Sequence, residues 1–495
     1  MDVQFLERVK TTLKPTNHPY LTGPWTPTLN EATAIDLDVI EGRIPDDIDG
    51  IYVRNTENQV HQPLGNYHPF DGDGMVHVIN FRNGKADYRN RFVRTRGFAA
   101  EQEASRSLWG GLMDPPGTSL RPGFGAHGSL KDSSSTDVVV HAGKIVSTFY
   151  QCGEAYLLDP ETLEQEGVAG WAPIDGVSAH PKVDEATGEM LFFNYGVHAP
   201  YMHYGVVDRT GKCVHYVPVP LPGPRLPHDM AFTKNYSILN DFPLFWDLDL
   251  LKRDIHVSRF HPGMKSRFAV IPRYGRTEDI RWFEADPTYV LHWQNAYEEG
   301  DEIVLDGYFQ EDPMPRRLED APDGMGLMMA FLDEHSFKPK LHRWRFNLQT
   351  GETTERHLDD RILEFGMFNK RHAGIPYRYA YSTTTKPGWF LFNGFVKHDL
   401  KTGECWDVKL PDGVFASEAP FAPRIDAVDE DDGYLVSFLI DENNQSSECI
   451  LIDCKDFAAG PVVRIALPHK ICSGTHSTWA DRQLIKDGYL SSGKG

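Results

Sequence analysis

One unit recurs along nearly the whole chain: a short β-prone run, a turn carrying glycine, and a second β-prone run. "VINFRNGKADYRNRFV", "DVVVHAGKIVSTFY", "KVDEATGEMLFFNYGV", "MHYGVVDRTGKCVHYVPV", "HRWRFNLQTGETTERHL" and "FVKHDLKTGECWDVKL" all follow it. In several, the turn reads Asp/Asn-x-x-Thr-Gly, where glycine supplies the positive φ of a bulged hairpin loop. Local antiparallel pairing repeated from end to end predicts an all-β architecture. A β-propeller suits it, because each blade is a meander of about four strands. Seven blades would take about 71 residues each, well above the roughly 40–45 of a compact blade, so long insertions are required.

The rhythm breaks in three places, near 98–130, 236–265 and 311–335, where Pro/Gly loops and helical patterns carry many large apolar residues. These insertions are expected to form a cap over one face. Trp109, Leu112, Met113, Phe242, Phe245, Trp246, Met325 and Met328 are candidates for its wall or roof. No low-complexity segment or linker interrupts the pattern, so residues 1–495 read as one domain with an N-terminal extension over 1–34.

Fifty Lys and Arg against 71 Asp and Glu give a formal charge of −21. Such a surface repels phosphate backbones and anionic headgroups, which argues against nucleic acid as a partner. Any membrane-surface contact would be weak and rest on an apolar patch. The opening residues lack a signal-peptide pattern, and no run is long enough to span a bilayer. Six cysteines without a CxxC pair fit reduced thiols, and the expected location is cytoplasmic.

Short catalytic and metal motifs are absent: there is no HExxH, EF-hand loop, G-x-S-x-G elbow or Walker loop. Of 21 histidines most stand in ordinary loop contexts, His127 in "GFGAHGSL" among them. Four differ. His180 in "SAHPKV", His228 in "LPHDMAF", His292 in "VLHWQN" and His476 in "GTHSTW" each stand beside a β-prone run with small or apolar flanks. They lie too far apart for a helix or hairpin to gather them. A propeller could, since the innermost strand of every blade lines a common axis. By spacing alone this is a weak signal, and ordinary structural histidines are the stronger reading.

"GIYVRNTEN" with "YHPFDGDGMVHVINFRNGKADY" resembles the signature of the carotenoid cleavage oxygenase family, which includes stilbene- and isoeugenol-cleaving enzymes. The resemblance continues in family order through "VVVHAGKIVSTFYQCGEAYLLDPETLE", "SAHPKVDEATGEM", "HDMAFTKNYSI", "NAYEEGDEIVLD", "EFGMFNKRHAGIPYRYAY", "SEAPFAPRIDAVDEDDGYLVSFLID" and "GTHSTW", roughly residues 35–480. It implies a seven-bladed propeller with one axial Fe(II) per chain, held by His180, His228, His292 and His476.

It also implies three glutamates that orient the imidazoles. Two are present, Glu364 and Glu418; the third position reads Gln151, which removes one negative charge beside the metal. The implied reaction splits a conjugated C=C bond with O2 into two carbonyls. Substrate-facing positions map to Phe92, Thr136 and Tyr150. Phenol-cleaving members resemble one another in a Tyr and a Lys that grip the phenolic oxygen. Here those places read Phe92 and Tyr150, which favours a polyene such as a carotenoid or apocarotenoid over a stilbenoid or alkenyl phenol. An isomerohydrolase acting on retinoid esters and a non-catalytic propeller are the remaining alternatives; the second expects at least one of the four histidines to be lost, and all four stand.

Overall fold

Seven antiparallel sheets surround one axis in the computed structural model, which describes residues 1–123, 130–253, 257–322 and 324–486. His127 lies outside those residues. Blades 2 to 6 are local meanders whose innermost strands are Asp137–His141, Lys182–Asp184, Ala231–Phe232, Trp293–Glu299 and Glu364–Met367. In blade 7, Val414–Phe415 and Phe421–Pro423 both pair with Gly433–Asp441.

Blade 1 closes the ring. Its innermost strand, Ser477–Asp481, is the last of the chain and pairs with Gly50–Asn58. In return Val39–Gly42 adds an outer strand to blade 7 against Pro461–Ala466. The two chain ends therefore lock each other.

The hairpin turns form as their sequence dictates. Asn347 Oδ1 accepts the main-chain N–H of Gln349 and Thr350, both at 2.9 Å, and Asp399 Oδ1 accepts those of Lys401 and Thr402. The following Gly351 and Gly403 both take φ +79°, where a side chain would be strained.

Two boundaries need correction. Residues 1–34 are not a mere extension: Asn30–Ile35 pairs with Lys85–Phe92, and Asp2–Arg8 adds outside it, giving blade 1 six strands. The 236–265 insertion begins later, because Tyr236–Asp241 is a blade strand paired with Ser266–Pro272. What projects between them is the hairpin Leu244–Trp246 with Ser258–Phe260. The other two insertions carry short helices, Arg96–Ala104 in one and Gly326–Ala330 and Glu334–Phe337 in the other.

Apolar side chains fill the spaces between neighbouring blades, as the alternation of the strands requires. The largest of these cores joins Phe365, Phe390, Phe392, Phe415 and Phe421 to Met328, Met329 and Leu332 of the third insertion. That insertion is thereby packed over the axial end of blades 6 and 7. Phe242 enters the core around Trp293, whereas Leu112 and Met113 are exposed.

Candidate metal centre

Each of the four histidines stands just ahead of an innermost strand, in blades 3, 4, 5 and 1. One ligand-capable nitrogen from each lies within 4.8 Å of all the others. The Nε2 atoms of His180 and His228 are 3.2 Å apart. No carboxylate or thiol enters this set.

Local backbone devices aim the rings. His180 takes φ +65°, a left-handed conformation that costs a non-glycine residue, and its N–H donates to Asp137 Oδ2 at 3.1 Å. Asp229, next to His228, ties three blades together. Its Oδ2 accepts the N–H of Trp293 at 2.9 Å while Oδ1 pairs with Lys182 at 2.6 Å. The carbonyl of His476 accepts the N–H of Asn55 at 3.0 Å, so the closing strand pair fixes its height.

Carboxylates stand behind two rings. Glu364 Oε2 lies 2.6 Å from His292 Nδ1 and also accepts the N–H of Phe365. Glu418 Oε2 accepts the N–H of Ser477 at 2.5 Å and sits 3.5 Å from His476 Nδ1, an electrostatic rather than a close hydrogen-bonded contact. Behind His180, Asp137 Oδ2 is 3.7 Å from Nδ1.

Burial dominates the proton chemistry. It holds His180 and His292 well below the usual imidazole range and His228 down to about 3, with repulsion from His476 adding to it. Burial opposes charge on His476 as well, but Glu418, Asp137 and Glu57 outweigh it and raise that ring. Burial pushes Glu364 well above the carboxylate range, with Glu334 adding to it. Neutral imidazoles present lone pairs, which is what a metal ligand needs.

An orphan atom tests the fit. His292 Nε2 is buried without any hydrogen-bond partner, although Nδ1 of the same ring is firmly held. A ring fixed on one side and empty on the converging side is arranged for a cation. Four imidazole nitrogens suit a divalent first-row transition metal.

A second cluster, Asp359, His398 and Cys405, is different in kind. Arg361 bonds Asp359 through Nε and Nη2 and reaches Asp407, so a guanidinium already supplies the positive charge there.

The remaining expected positions divide. Thr136 directly precedes the innermost strand of blade 2, and its Oγ1 accepts the N–H of Tyr150 at 3.2 Å. Burial holds the Tyr150 phenol well above its usual range, with Asp71 adding to the shift and a hydrogen bond from Gln151 opposing it. Gln151 is buried next to Tyr150 in the chain. Phe92 is placed elsewhere. It ends an outer strand opposite Met75 and stacks on Phe98 at 5.2 Å, in a satellite core with Val9 and Val60.

The aromatic surface beside the rings comes from residues that sequence reasoning missed. Phe365 lies 4.6 Å from the His292 ring and 5.1 Å from that of His476, centroid to centroid. Phe390 continues from it at 6.3 Å, and Phe70 links Phe390 at 5.6 Å to Tyr150 at 6.2 Å. Phe365 is aimed by a register shift between Glu364 and Met367 and takes φ +54°. Its position immediately after Glu364 was the available signal. On the axis a cavity of about 140 Å³ reaches His180, His292 and His476, and Lys182, Asp229, Lys370 and Glu418 help to line it.

The family model described as retinal pigment epithelial membrane protein (RPE65) matches residues 25–481. The chain belongs to the carotenoid cleavage oxygenase family. It is 32% identical to carotenoid 9,10(9',10')-cleavage dioxygenase 1 of Phaseolus vulgaris, over 95% of this chain and 91% of that one. Isoeugenol monooxygenase of Pseudomonas putida is 33% identical, over 94% of this chain and 98% of its own. The crystal structure of Pseudomonas brassicacearum lignostilbene dioxygenase superposes with a TM-score of 0.82 at 27% identity, covering 95% of this chain and all of that one. The seven-bladed propeller read from the hairpin repeat is thus the family's fold, and the chain is an oxygenase of that family.

Proposed function

We propose that this oxygenase holds one Fe(II) on His180, His228, His292 and His476 and cleaves a conjugated C=C bond of a carotenoid or apocarotenoid. One O2 adds across the bond, giving two carbonyl products. When bound, the iron supplies the dioxygen chemistry. Glu364 holds a proton on Nδ1 of His292, which keeps Nε2 free as a donor to the metal. Glu418 fixes the strand start that carries His476. Phe365, Phe390, Phe70 and Tyr150 bind and flatten an apolar conjugated chain and exclude water from it.

The observation that carries the polyene reading is a buried, neutral phenol at Tyr150 in place of an ammonium. A charge-assisted grip on a phenolate, about 1.5–3 kcal/mol, has no donor of that type there. A second reading, cleavage of an alkenyl phenol or hydroxystilbene, is supported by the isoeugenol and lignostilbene relatives. No described helix is long and apolar enough to cross a membrane, and all six cysteines are free, in keeping with a reducing cytoplasm. Leu64 and Leu112, on segments joined by the Asn66–Asp114 hydrogen bond, leave an apolar edge for weak contact with a lipid surface.

The test compares turnover of an apocarotenal, a 4-hydroxystilbene and its unhydroxylated analogue, with products identified by mass spectrometry under 18O2. The polyene should be cleaved best, with label in both carbonyls. If the hydroxystilbene is best and loss of its hydroxyl abolishes cleavage, the phenolic reading replaces this one.

A further inference from the structure

Glu57 lies in Gly50–Asn58, the strand that receives the closing strand of the propeller, and is only 3% exposed. Its Oε1 accepts a hydrogen bond from the Thr475 hydroxyl at 3.1 Å. Thr475 immediately precedes His476, and its hydroxyl is also within 3.4 Å of the Thr136 carbonyl. The other carboxyl oxygen, Oε2, is buried without a partner. Arg54 in the same strand gives it no hydrogen bond. Three residues away, its side chain leaves the opposite face and donates to the Cys472 carbonyl at 2.7 Å, while its Nε and Nη1 remain unpaired.

A buried carboxyl with one hydrogen bond and one orphan oxygen is costly unless a compensating charge stands nearby. The nearest place built for such a charge is the histidine tetrad, one residue beyond Thr475. Of the three acidic positions that the resemblance implies, one is the neutral Gln151. The centre as described so far therefore has two glutamates behind its ligands.

We infer that Glu57 is a further carboxylate of the metal centre beside Glu364, Glu418 and Asp137, a positioning residue that acts through Thr475 on the His476 side and supplies negative charge where Gln151 supplies none. This rests on the four histidines holding a divalent metal. It moves the missing charge to another strand without changing the ligand set. A nearby dication also gives the unpaired Oε2 a reason to stay buried, since the ion is the largest local charge in such a site.

The experiment uses the full chain, stripped of metal and reloaded with Fe(II). Affinity is read by competition with a chelator of known strength and the Fe(III)/Fe(II) midpoint by spectroelectrochemistry. Wild type should bind one iron per chain and His476→Ala should not; failure there overturns the metal reading itself. With that established, Glu57→Gln should weaken Fe(II) binding by about 10–100-fold and shift the midpoint to more positive potential. Thr475→Val, which keeps the carboxyl but breaks its link to the ligand strand, should move both readouts the same way by a smaller amount. Adding Gln151→Glu to Glu57→Gln should recover part of the affinity. If Glu57→Gln keeps wild-type affinity and potential, the inference is wrong; so is it if thermal stability of the metal-free protein is all that changes. Should Glu57→Gln fail to fold, unchanged affinity and potential in Thr475→Val decide against it.

Discussion

Glu364 Oε2 lies 2.6 Å from Nδ1 of His292, and on the other side of that ring Nε2 has no partner. The pair divides one imidazole into a held edge and an offered edge. Burial disfavours charge on both groups, pushing the carboxyl up and the imidazole down, whereas a dication on Nε2 would favour the Glu364 carboxylate with the proton on Nδ1. Replacing Glu364 by Gln keeps an acceptor but removes the charge a dication would draw out. Glu364→Gln should lower Fe(II) affinity or kcat by about 10–100-fold, whereas His292→Ala should remove bound iron altogether. Metal content by atomic absorption alongside turnover checks both. Full iron and full turnover in His292→Ala would show that this ring is not a ligand, and in Glu364→Gln that the carboxylate does not tune it.

Gln151 gives a complementary prediction. Its neutral amide leaves the site one charge short of the pattern the resemblance implies. Gln151→Glu would place an acid next to a buried phenol. Turnover should change while the protein stays folded and loaded with metal. Steady-state kinetics with iron content measured on the same samples decides it. Identical kcat and KM would mean that the amide is a passive acceptor.

The fold was legible because its signal is local. Asn347, Asp399 and the glycines after them build hairpins from neighbouring residues alone. The N-terminal strands were not legible, because the pairing of Ala32 with Asn90 and of Asp2 with Ile35 depends on partners the local pattern does not mark. The four histidines stood out weakly by context and firmly only by resemblance. Phe92 misled because an aromatic at a strand end reads alike whether it faces a site or a satellite core. Phe365 was hidden for the opposite reason: a register shift and a positive φ turn it toward the rings, and no periodicity announces either.

Arg273 joins blades 3 and 4 and should govern stability rather than chemistry. Its Nη1 reaches Asp184 at 2.6 Å and Glu189 at 2.8 Å, and Nη2 donates to the Thr233 carbonyl at 2.8 Å. Asp184 is buried, so removing its cation leaves an uncompensated charge between blades. Arg273→Ala should cost about 3–5 kcal/mol. Urea unfolding of the metal-free proteins measures it, and a loss below about 1 kcal/mol would mean that water enters to replace the guanidinium.

His141 makes stability depend on acid. It ends the innermost strand of blade 2, is buried, and places Nε2 3.1 Å from the Gly188 carbonyl of blade 3. Burial lowers it to about 4 from 6.5, against the opposing pull of that carbonyl and of Asp208. Between pH 4 and 6.5 the unfolded chain therefore binds a proton at this position that the folded chain refuses. Stability supplied by the neutral ring is fully present above the unfolded value and is lost as pH falls toward 4. The slope is one proton's worth, about 1.4 kcal/mol per pH unit. His68 and His469 are lowered in the same sense and add to the same window. The contribution of His141 is therefore read as a difference. His141→Gln keeps a donor for the Gly188 carbonyl but cannot titrate. Urea midpoints of metal-free wild type and variant should converge as pH falls from 6.5 to 4.5, the variant losing less. Parallel profiles across that range would place the acid sensitivity elsewhere.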